Sequence, residues 1–116
     1  MSDPVYKICS SAMFQEARGL GRFEGSADDA RDGFIHLSAG HQVAGTLAKY
    51  FAGQNDLVLL AVDPERLGER LRWEISRGGE LFPHLYGPLD LDDVTSVEAL
   101  SLQDDGTHRL PEGVAP

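Results

Sequence analysis

Apolar residues along the chain follow different spacings, and each spacing predicts a type of element. Short alternating or continuous apolar runs are typical of strands, whereas apolar residues three or four positions apart are typical of helices. The runs predict five strands, at residues 5–8, 34–37, 57–62, 71–75 and 94–102. The run at 57–62 is apolar throughout, which indicates a strand buried on both faces.

Two segments carry apolar residues at helical spacing. The first follows a cap at Ser10 or Ser11, and the glycines at 19 and 21 are predicted to end it. Its apolar residues are Met13, Phe14, Ala17 and Leu20.

The second helical segment follows the second strand. Ser38 is a candidate cap, and Gly53 is the predicted stop. The apolar stripe consists of Val43, Leu47, Tyr50 and Phe51.

The remaining segments lack either periodicity. Residues 22–33 are rich in Asp, Gly and Ser and are predicted to form a loop, either a lid over a site or mobile surface. Residues 81–89 carry two prolines and a glycine, which argues against a central strand. Residues 103–116 are polar and predicted to be a disordered tail. The order β-α-β-α-β-β with a last strand predicts one α+β domain over 1–102, with a mixed or antiparallel sheet and two main helices.

Composition and charge restrict the classes of function. The chain is 41% hydrophobic and 25% charged, as in ordinary globular domains. Its net charge of −9 disfavours nucleic acid and anionic membranes as partners. No apolar run approaches a membrane span, and the start of the sequence does not look like a signal peptide. With a single cysteine, Cys9, these features predict a cytoplasmic protein.

A local basic site within the acidic chain stays open at this stage. Arg18, Arg22 and Arg31 lie close in sequence and are either such a site or solvated surface charges. Cys9 follows an apolar strand without an adjacent base, so it is expected to be a small buried residue.

Candidate chemistry begins at residues 34–38, Phe-Ile-His-Leu-Ser. In a strand, His36 and Ser38 share a face while Ile35 and Leu37 point into the core. An imidazole beside a hydroxyl can bind a polar ligand near neutral pH. The alternative is a structural histidine with Ser38 as a helix cap.

The segment 81–89 is the second candidate. Pro83 and Pro88 restrict its backbone, so an extended course would present His84 and Tyr86 on one face. A rigid segment that offers these two side chains suits a preorganised site. The alternative is a proline-locked loop whose aromatic residues only pack.

Glu74 is the candidate acidic residue. It lies on the strand face opposite Trp73, together with Arg72. The alternatives are a ligand-binding or cation-stabilising carboxylate, or a surface pair with Arg72. A metal site from His36, Glu74 and His84 is a further hypothesis that no spacing supports specifically. His41 and His108 are expected to be surface groups without a role in a site.

Known nucleotide and hydrolase motifs are absent from the sequence. No phosphate-binding loop, nucleophile elbow or dinucleotide fingerprint is present, since Gly19-Leu20-Gly21 ends a helix instead of opening one.

Several linked motifs resemble a small bacterial family, domain of unknown function 952, from about Val5 to about Leu100. They are Gly33-Phe34-Ile35-His36-Leu37-Ser38, Gln42, the run 57–63, Arg72-Trp73-Glu74 and the segment 81–89. The fold of that family is considered similar to the ADP-ribosyltransferases, which bind NAD in the cleft of a split sheet. Residues 34–38 also look like the His-x-His-Leu-Ser stretch of the NAD-dependent RNA 2′-phosphotransferases.

The resemblance implies roles for individual residues. His36 and Ser38 would hold the ribose or amide of NAD, Tyr86 would stack on nicotinamide beside His84, and Glu74 would be the acidic catalytic residue with His36. Where many family members carry a histidine after the first strand's tyrosine, this chain has Lys7. The transferases hold the NAD ribose with an early-strand His or Arg, so Lys7 stands at the corresponding cofactor-binding position.

Two classes of function follow. The first is an ADP-ribosyltransferase-like enzyme, or degenerate enzyme, that binds NAD or a related nucleotide between the His36 strand and the His84 segment. The second is a non-catalytic module that binds a small anionic or sugar-like ligand or a protein. The acidic surface disfavours RNA phosphotransfer in either case.

Overall fold

The fold is α+β, with a curled antiparallel sheet and few helices. The computed structural model describes residues 3–114. Its strands are β1 (Val5–Ser10), β2 (Arg22–Phe23), β3 (Ile35–His36), β4 (Ser38–Ala39), β5 (Leu57–Val62), β6 (Leu71–Ile75), β7 (Leu81–Leu85), β8 (Leu89–Asp90), β9 (Val94–Leu102) and β10 (His108–Arg109). Its α-helices are α1 (Ser11–Leu20), α2 (Ala27–Asp32), α3 (Val43–Tyr50) and α4 (Pro64–Leu67).

The strands form one large and two small sheets. The large sheet has the order β10-β9-β5-β1-β4, the three-stranded sheet has the order β3-β7-β6, and β2 pairs with β8. The large and three-stranded sheets adjoin at residue 37, where the chain passes from β3 to β4 and the Leu37 amide donates to the Pro83 carbonyl at 3.0 Å. This junction brings β1, β3 and β7 to one side of the molecule.

The core lies on both faces of β5. All six residues of β5 are buried, as the continuous apolar run predicts. One face packs with α3 through Val43 and Leu47, and the other packs with α1 and the three-stranded sheet through Ala17 and Leu85. Apolar burial on two faces is the main favourable term that keeps β5 in the middle of the large sheet.

The first helix begins as predicted and ends at one of the two expected glycines. The Ser10 hydroxyl accepts a hydrogen bond from the Met13 amide at 3.1 Å. Gly21 is the C-cap with φ of 81°, a left-handed conformation that favours glycine. Gly19 lies inside the helix, so it does not terminate it.

The second predicted helix, α3, differs at both ends. A 3-10 turn at Gly40–Gln42 precedes it and Phe51 is its C-cap, so it ends before Gly53. Ser38 is not a cap, because it belongs to β4 and its hydroxyl pairs with Thr46 instead. Tyr50 is 55% exposed and does not continue the buried stripe of Val43 and Leu47.

The prediction of a loop over 22–33 is wrong, because this segment contains β2 and α2. The Ser26 hydroxyl accepts from the Asp29 amide at 3.2 Å, and the Asp29 carboxylate accepts from the Ser26 amide at 2.8 Å. This reciprocal capping starts α2, and Gly33 ends it in the left-handed conformation. A short polar helix lacks the apolar periodicity on which the prediction relied.

The exclusion of a central strand from residues 81–89 is also wrong, since β7 lies between β3 and β6. The nitrogen and the carbonyl of one strand residue point to the same side of the strand. The Pro83 carbonyl accepts from Leu37, so the Pro83 nitrogen also faces Leu37, just beyond the end of β3, and its missing amide proton interrupts no hydrogen bond between β3 and β7. Pairing with β6 does not need the missing amide of Pro83. Gln42 also secures β7 by donating to the Leu81 carbonyl at 2.7 Å.

Residues 103–114 follow an ordered course that differs from the predicted disordered tail. They form a turn and β10, which pairs with β9. Leu110 and Val114 pack against the α3 side of the core. The last two residues of the predicted tail lie outside the described residues. None of the helices within residues 3–114 is long and apolar enough to cross a membrane.

The two glycines near the end of α1 should respond to alanine in opposite directions. Gly19→Ala should raise the free energy of unfolding by about 0.5–1 kcal/mol, because alanine is the better residue inside a helix. Gly21→Ala should lower it by about 1–2 kcal/mol, because the residue must adopt a positive φ. Urea denaturation of both variants measures this. A Cβ at either position meets no atom within 4 Å, so equal effects would contradict the assigned helix end.

Candidate functional site

A cavity of about 260 Å³ opens between α2, β1, the β3–β4 connection, α3 and the β6–β7 turn. Lys7 on β1, His36 on β3, Ser38 on β4 and His84 on β7 all line it. His36 and His84 are cross-strand partners, which places their side chains on the same face of the three-stranded sheet. Their ring centroids are 5.8 Å apart. The chain therefore brings the two predicted histidine segments to one cavity.

A buried ion pair forms the floor of the cavity. The Lys7 ammonium lies 2.9 Å from the Asp29 carboxylate, and both side chains are almost fully buried. Lys7 also donates to the backbone carbonyl of His36 at 3.2 Å. Because Asp29 already neutralises the charge of Lys7, the main role of Lys7 is to hold β1, α2 and β3 together, and it is not a free cation for a ligand.

Asp29 is the most heavily bonded side chain of the site. It accepts from Lys7, from the Ser26 amide, from the His36 amide at 3.1 Å and from His36 Nδ1 at 2.6 Å. Burial alone would raise the pKa of this carboxyl, but the His36 hydrogen bond and the nearby Lys7 charge outweigh it. The pKa of Asp29 therefore lies well below its ordinary value.

His36 is held by carboxylates at both ring nitrogens. Nδ1 faces Asp29, and Nε2 lies 2.9 Å from Asp32. Both contacts are hydrogen bonds only when both nitrogens carry protons. His36 thus presents its ring face, not a free nitrogen, to the cavity.

The charges that line the cavity balance, although the chain carries −9 overall. The lining cations are Lys7, Arg31 and Arg77, and the lining carboxylates are Asp28, Asp29 and Asp32. Arg31 pairs with Asp28 at 3.3 Å and with Asp32 at 3.1 Å. Among the described residues, Arg77 is the lining cation without a carboxylate partner.

Arg77 is positioned by groups that leave its charge available. Its guanidinium donates to the Thr46 hydroxyl at 3.2 Å and lies over the Phe82 ring, 4.8 Å from the centroid. The Thr46 hydroxyl also pairs with the Ser38 hydroxyl at 3.1 Å. A guanidinium beside two hydroxyls is a suitable set of donors for an anionic group of a ligand.

His84 is oriented by a carboxylate behind it. Its Nδ1 lies 2.9 Å from Glu74 Oε1, which also accepts a hydrogen bond from the Tyr86 hydroxyl at 2.6 Å. The hydrogen bond from Tyr86, and then that from His84, lowers the pKa of Glu74 below its ordinary value. An ionised Glu74 requires Nδ1 to donate, which leaves Nε2 of a neutral ring as the hydrogen-bond acceptor.

The Nε2 edge of the His84 ring lies on the side away from Glu74. His84 lines the cavity, whereas Glu74, on the Nδ1 side, does not. Nε2 has no hydrogen-bond partner within residues 3–114, and Phe34 stacks on the ring at a centroid distance of 4.0 Å. A buried imidazole with one nitrogen fixed and the other free can accept a proton from a bound group.

The predicted site residues divide into two sets. Lys7, His36, Ser38 and His84 line the cavity. Glu74 and Tyr86 are outside its lining, since the Tyr86 hydroxyl bonds to Glu74 and Arg72 lies 5.1 Å from the Tyr86 ring centroid. Glu74 contacts His84 directly, and Tyr86 is linked to His84 through Glu74. Neither residue is placed to touch a ligand in the cavity.

The sequence patterns did not single out several polar residues of the site, among them Asp28, Asp29, Asp32, Thr46 and Arg77. The spacing of Ser26 and Asp29, followed by Gly33, is a helix-start and helix-stop signal that points to α2. No comparable signal marks Arg77, because it belongs to a glycine-containing turn that reads only as flexible.

The other sequence candidates do not add to the site. Arg18 and Arg22 are exposed and do not line the cavity, so the three nearby arginines form no joint basic site. Cys9 is buried, and burial raises the pKa of its thiol to about 11. His108 does not line the cavity; its Nε2 lies 2.6 Å from the backbone carbonyl of Gln54, which is also outside the cavity lining.

The metal hypothesis requires His36, Glu74 and His84 to converge. Within residues 3–114, no three histidine, cysteine or acidic side chains are arranged to hold one ion. Instead His36 faces Asp29 and Asp32, while His84 faces Glu74.

Removal of the Asp29 charge should destabilise the fold. Asp29→Asn should lower the free energy of unfolding at pH 7 by about 3–5 kcal/mol, because it leaves a buried lysine without its partner. Since the folded pKa of Asp29 is depressed, its stabilisation is complete above the unfolded value of 3.8 and is lost as the pH falls below it. The difference between wild type and variant, measured by urea denaturation, should therefore shrink from pH 7 to pH 3.

Asp32→Asn is the matched control, because Asp32 bonds to the same histidine from a more exposed position. Its effect should stay within about 1 kcal/mol. Equal losses in the two variants, or a difference that does not vary with pH, would contradict the role given to Asp29.

Solved structures of one bacterial protein are similar to this chain. The crystal structure of the protein CC0527 from Caulobacter crescentus is 57% identical, with a TM-score of 0.89 over 91% of this chain and 93% of that chain. The solution NMR structure of CC0527 is 58% identical, with a TM-score of 0.82 over 90% of each chain. The comparison with curated proteins found no match.

A family model matches most of the chain. It covers residues 8–97, which include α2, β3 and β7 and therefore the charged residues of the cavity wall except Lys7. The model is described as a protein of unknown function, DUF952. The chain therefore belongs to the DUF952 family.

Proposed function

We propose that this domain binds NAD or a related nucleotide in the cavity and transfers its glycosyl group, in the manner of an ADP-ribosyltransferase-like enzyme. The observation that carries the proposal is the pairing, in one cavity, of an uncommitted arginine with a histidine whose Nε2 is free. Such a pair can bind a phosphate and accept a proton in the same ligand. The split of the antiparallel strands at residue 37 supports the comparison with the transferases.

The size of the cavity limits which part of NAD it encloses. Sites that bury a whole drug-sized ligand typically measure about 300–1,000 Å³. A cavity of about 260 Å³ suits the nicotinamide–ribose half, with the adenosine half outside. The phosphates would then lie at the mouth of the cavity.

Arg77 determines the orientation of the nucleotide in this proposal. A phosphate would accept from its guanidinium and from the hydroxyls of Ser38 and Thr46. The opposite end of the cavity, at α2, has its carboxylates already paired with Lys7, Arg31 and His36. An anionic group therefore gains most at the Arg77 end.

His84 would carry out the proton transfer. As the bond between the ribose carbon and nicotinamide breaks, nicotinamide leaves and an acceptor hydroxyl bonds to that carbon. Nε2 of His84 takes the proton of this hydroxyl, and Glu74 stabilises the imidazolium from behind. Glu74 is then a positioning residue, because it touches His84 and not the reacting atoms. His36 and Ser38 would shape the wall around the ribose.

Nucleotide binding should depend on Arg77. Isothermal titration should detect binding of NAD to the wild-type protein, and Arg77→Gln should weaken it by about ten- to a hundredfold, the loss typical of a hydrogen bond to a charged group. Arg109→Gln removes the same charge from an exposed strand outside the cavity, so it should leave the affinity unchanged. Absence of any heat with millimolar NAD would refute nucleotide binding.

Glu74→Gln should separate turnover from binding. The variant should release nicotinamide from NAD about 10²–10⁴-fold more slowly, because His84 loses its oriented tautomer. The NAD affinity should hardly change, since Glu74 does not line the cavity. Tyr86→Phe, which keeps the Glu74–His84 contact, is the control and should retain most of the rate.

The second class of function remains a non-catalytic module for a small anionic or sugar-like ligand. Two observations favour it. Glu74 does not line the cavity, and Lys7 lines it but is already paired with Asp29. Binding of NAD without any nicotinamide release by the wild type would establish this alternative.

A further inference from the structure

The outer edge of β6 has free backbone groups. β6 is the last strand of its sheet, and β7 is its only strand partner within residues 3–114. The backbones of Arg70 and Ser76, which flank β6, bond toward the β7 side at 2.8 and 2.9 Å. Because successive residues of a strand direct their backbone groups to opposite sides, the outward groups belong to Leu71, Trp73 and Ile75.

The same edge exposes large apolar side chains. Trp73 is 47% exposed, Ile75 is 69% exposed and Leu81, the cross-strand partner of Ile75, is 49% exposed. These three residues share one face of the β6–β7 hairpin. An exposed apolar edge strand is a template for pairing with another strand.

We propose that β6 pairs antiparallel with β6 of a second copy of this chain, about a twofold axis at Trp73. In this register Arg72 lies opposite Glu74 of the second copy, and Leu71 lies opposite its Ile75. The two tryptophans become direct cross-strand neighbours. Each outward backbone group then finds a partner, and the charges of both copies are complementary.

The charges select this register over its neighbours. Residues that direct their backbone groups outward must face one another, so the axis falls on a residue and not between two. An axis at Arg72 places two arginines opposite each other, and an axis at Glu74 places two glutamates opposite each other. Like charges directly opposite destabilise a strand pair, which leaves Trp73 as the centre.

The sequence of β6 favours a second copy over a different protein. The strand Leu-Arg-Trp-Glu-Ile carries its opposite charges symmetrically about Trp73, so it is complementary to itself. Five residues make a small contact, so association should be weak, with a dissociation constant on the order of micromolar or above. This proposal does not require that the cavity binds a nucleotide.

Sedimentation equilibrium of the full chain, from low micromolar to millimolar concentration, tests the proposal. The wild type should shift from monomer to dimer, and the emission of its single tryptophan should move to shorter wavelength as Trp73 is covered. Ile75→Lys and Arg72→Glu should each raise the dissociation constant at least about tenfold, by placing a charge in the apolar contact and by opposing two carboxylates. Leu20→Lys, which changes an exposed residue of α1, should associate like the wild type.

Two results would overturn the β6 dimer. One is a wild type that remains monomeric at every concentration. The other is a dimer whose dissociation constant is the same in Ile75→Lys and Arg72→Glu as in the wild type or in Leu20→Lys. Far-UV circular dichroism confirms that each variant is folded, as expected for the exposed positions 20, 72 and 75.

Discussion

The carboxylate of Asp29 is the interaction on which the site depends. It joins three segments that are distant in sequence, since it binds Lys7 on β1, caps its own helix α2 and holds both the amide and the ring of His36 on β3. A buried charge is tolerated only when such partners surround it. The same contacts therefore place α2 against the sheet, form one wall of the cavity and set the orientation of His36.

The second constraint is the difference between the charge of the whole chain and that of the cavity. At −9, the surface repels anions at long range. Inside the cavity Lys7 pairs with Asp29 and Arg31 pairs with both Asp28 and Asp32, so Arg77 is the cation without a carboxylate partner. Close contacts are screened much less than distant ones, so the local arrangement decides what binds. An acidic protein can thus hold a site for an anionic group.

Sequence patterns predict the elements that have a clear apolar periodicity. They do not predict the elements and site residues whose positions depend on polar contacts in the folded chain. The buried strand β5 and the Ser10 cap follow from periodicity and capping chemistry. The pairing of His36 with His84 does not, because it depends on β7, which the prolines argued against as a central strand. The helix α2 has no apolar stripe, and β7 contains a proline whose harmless position depends on where β3 ends. The role of Arg77 depends on which carboxylates lack a partner, which only the folded arrangement determines.

The strand β6 connects the cavity chemistry with the proposed association. Its alternation places Glu74 on the side that supports His84 and leaves Trp73 and Ile75 on the opposite, exposed face. In the Trp73-centred pair, Arg72 of the second copy lies beside Glu74. A nearby cation stabilises the ionised carboxylate, as Arg72 of the same chain already does. The strand that offers its outer edge to a second copy therefore also carries, on its other face, the carboxylate that orients His84 through Nδ1 and leaves Nε2 without a partner among residues 3–114.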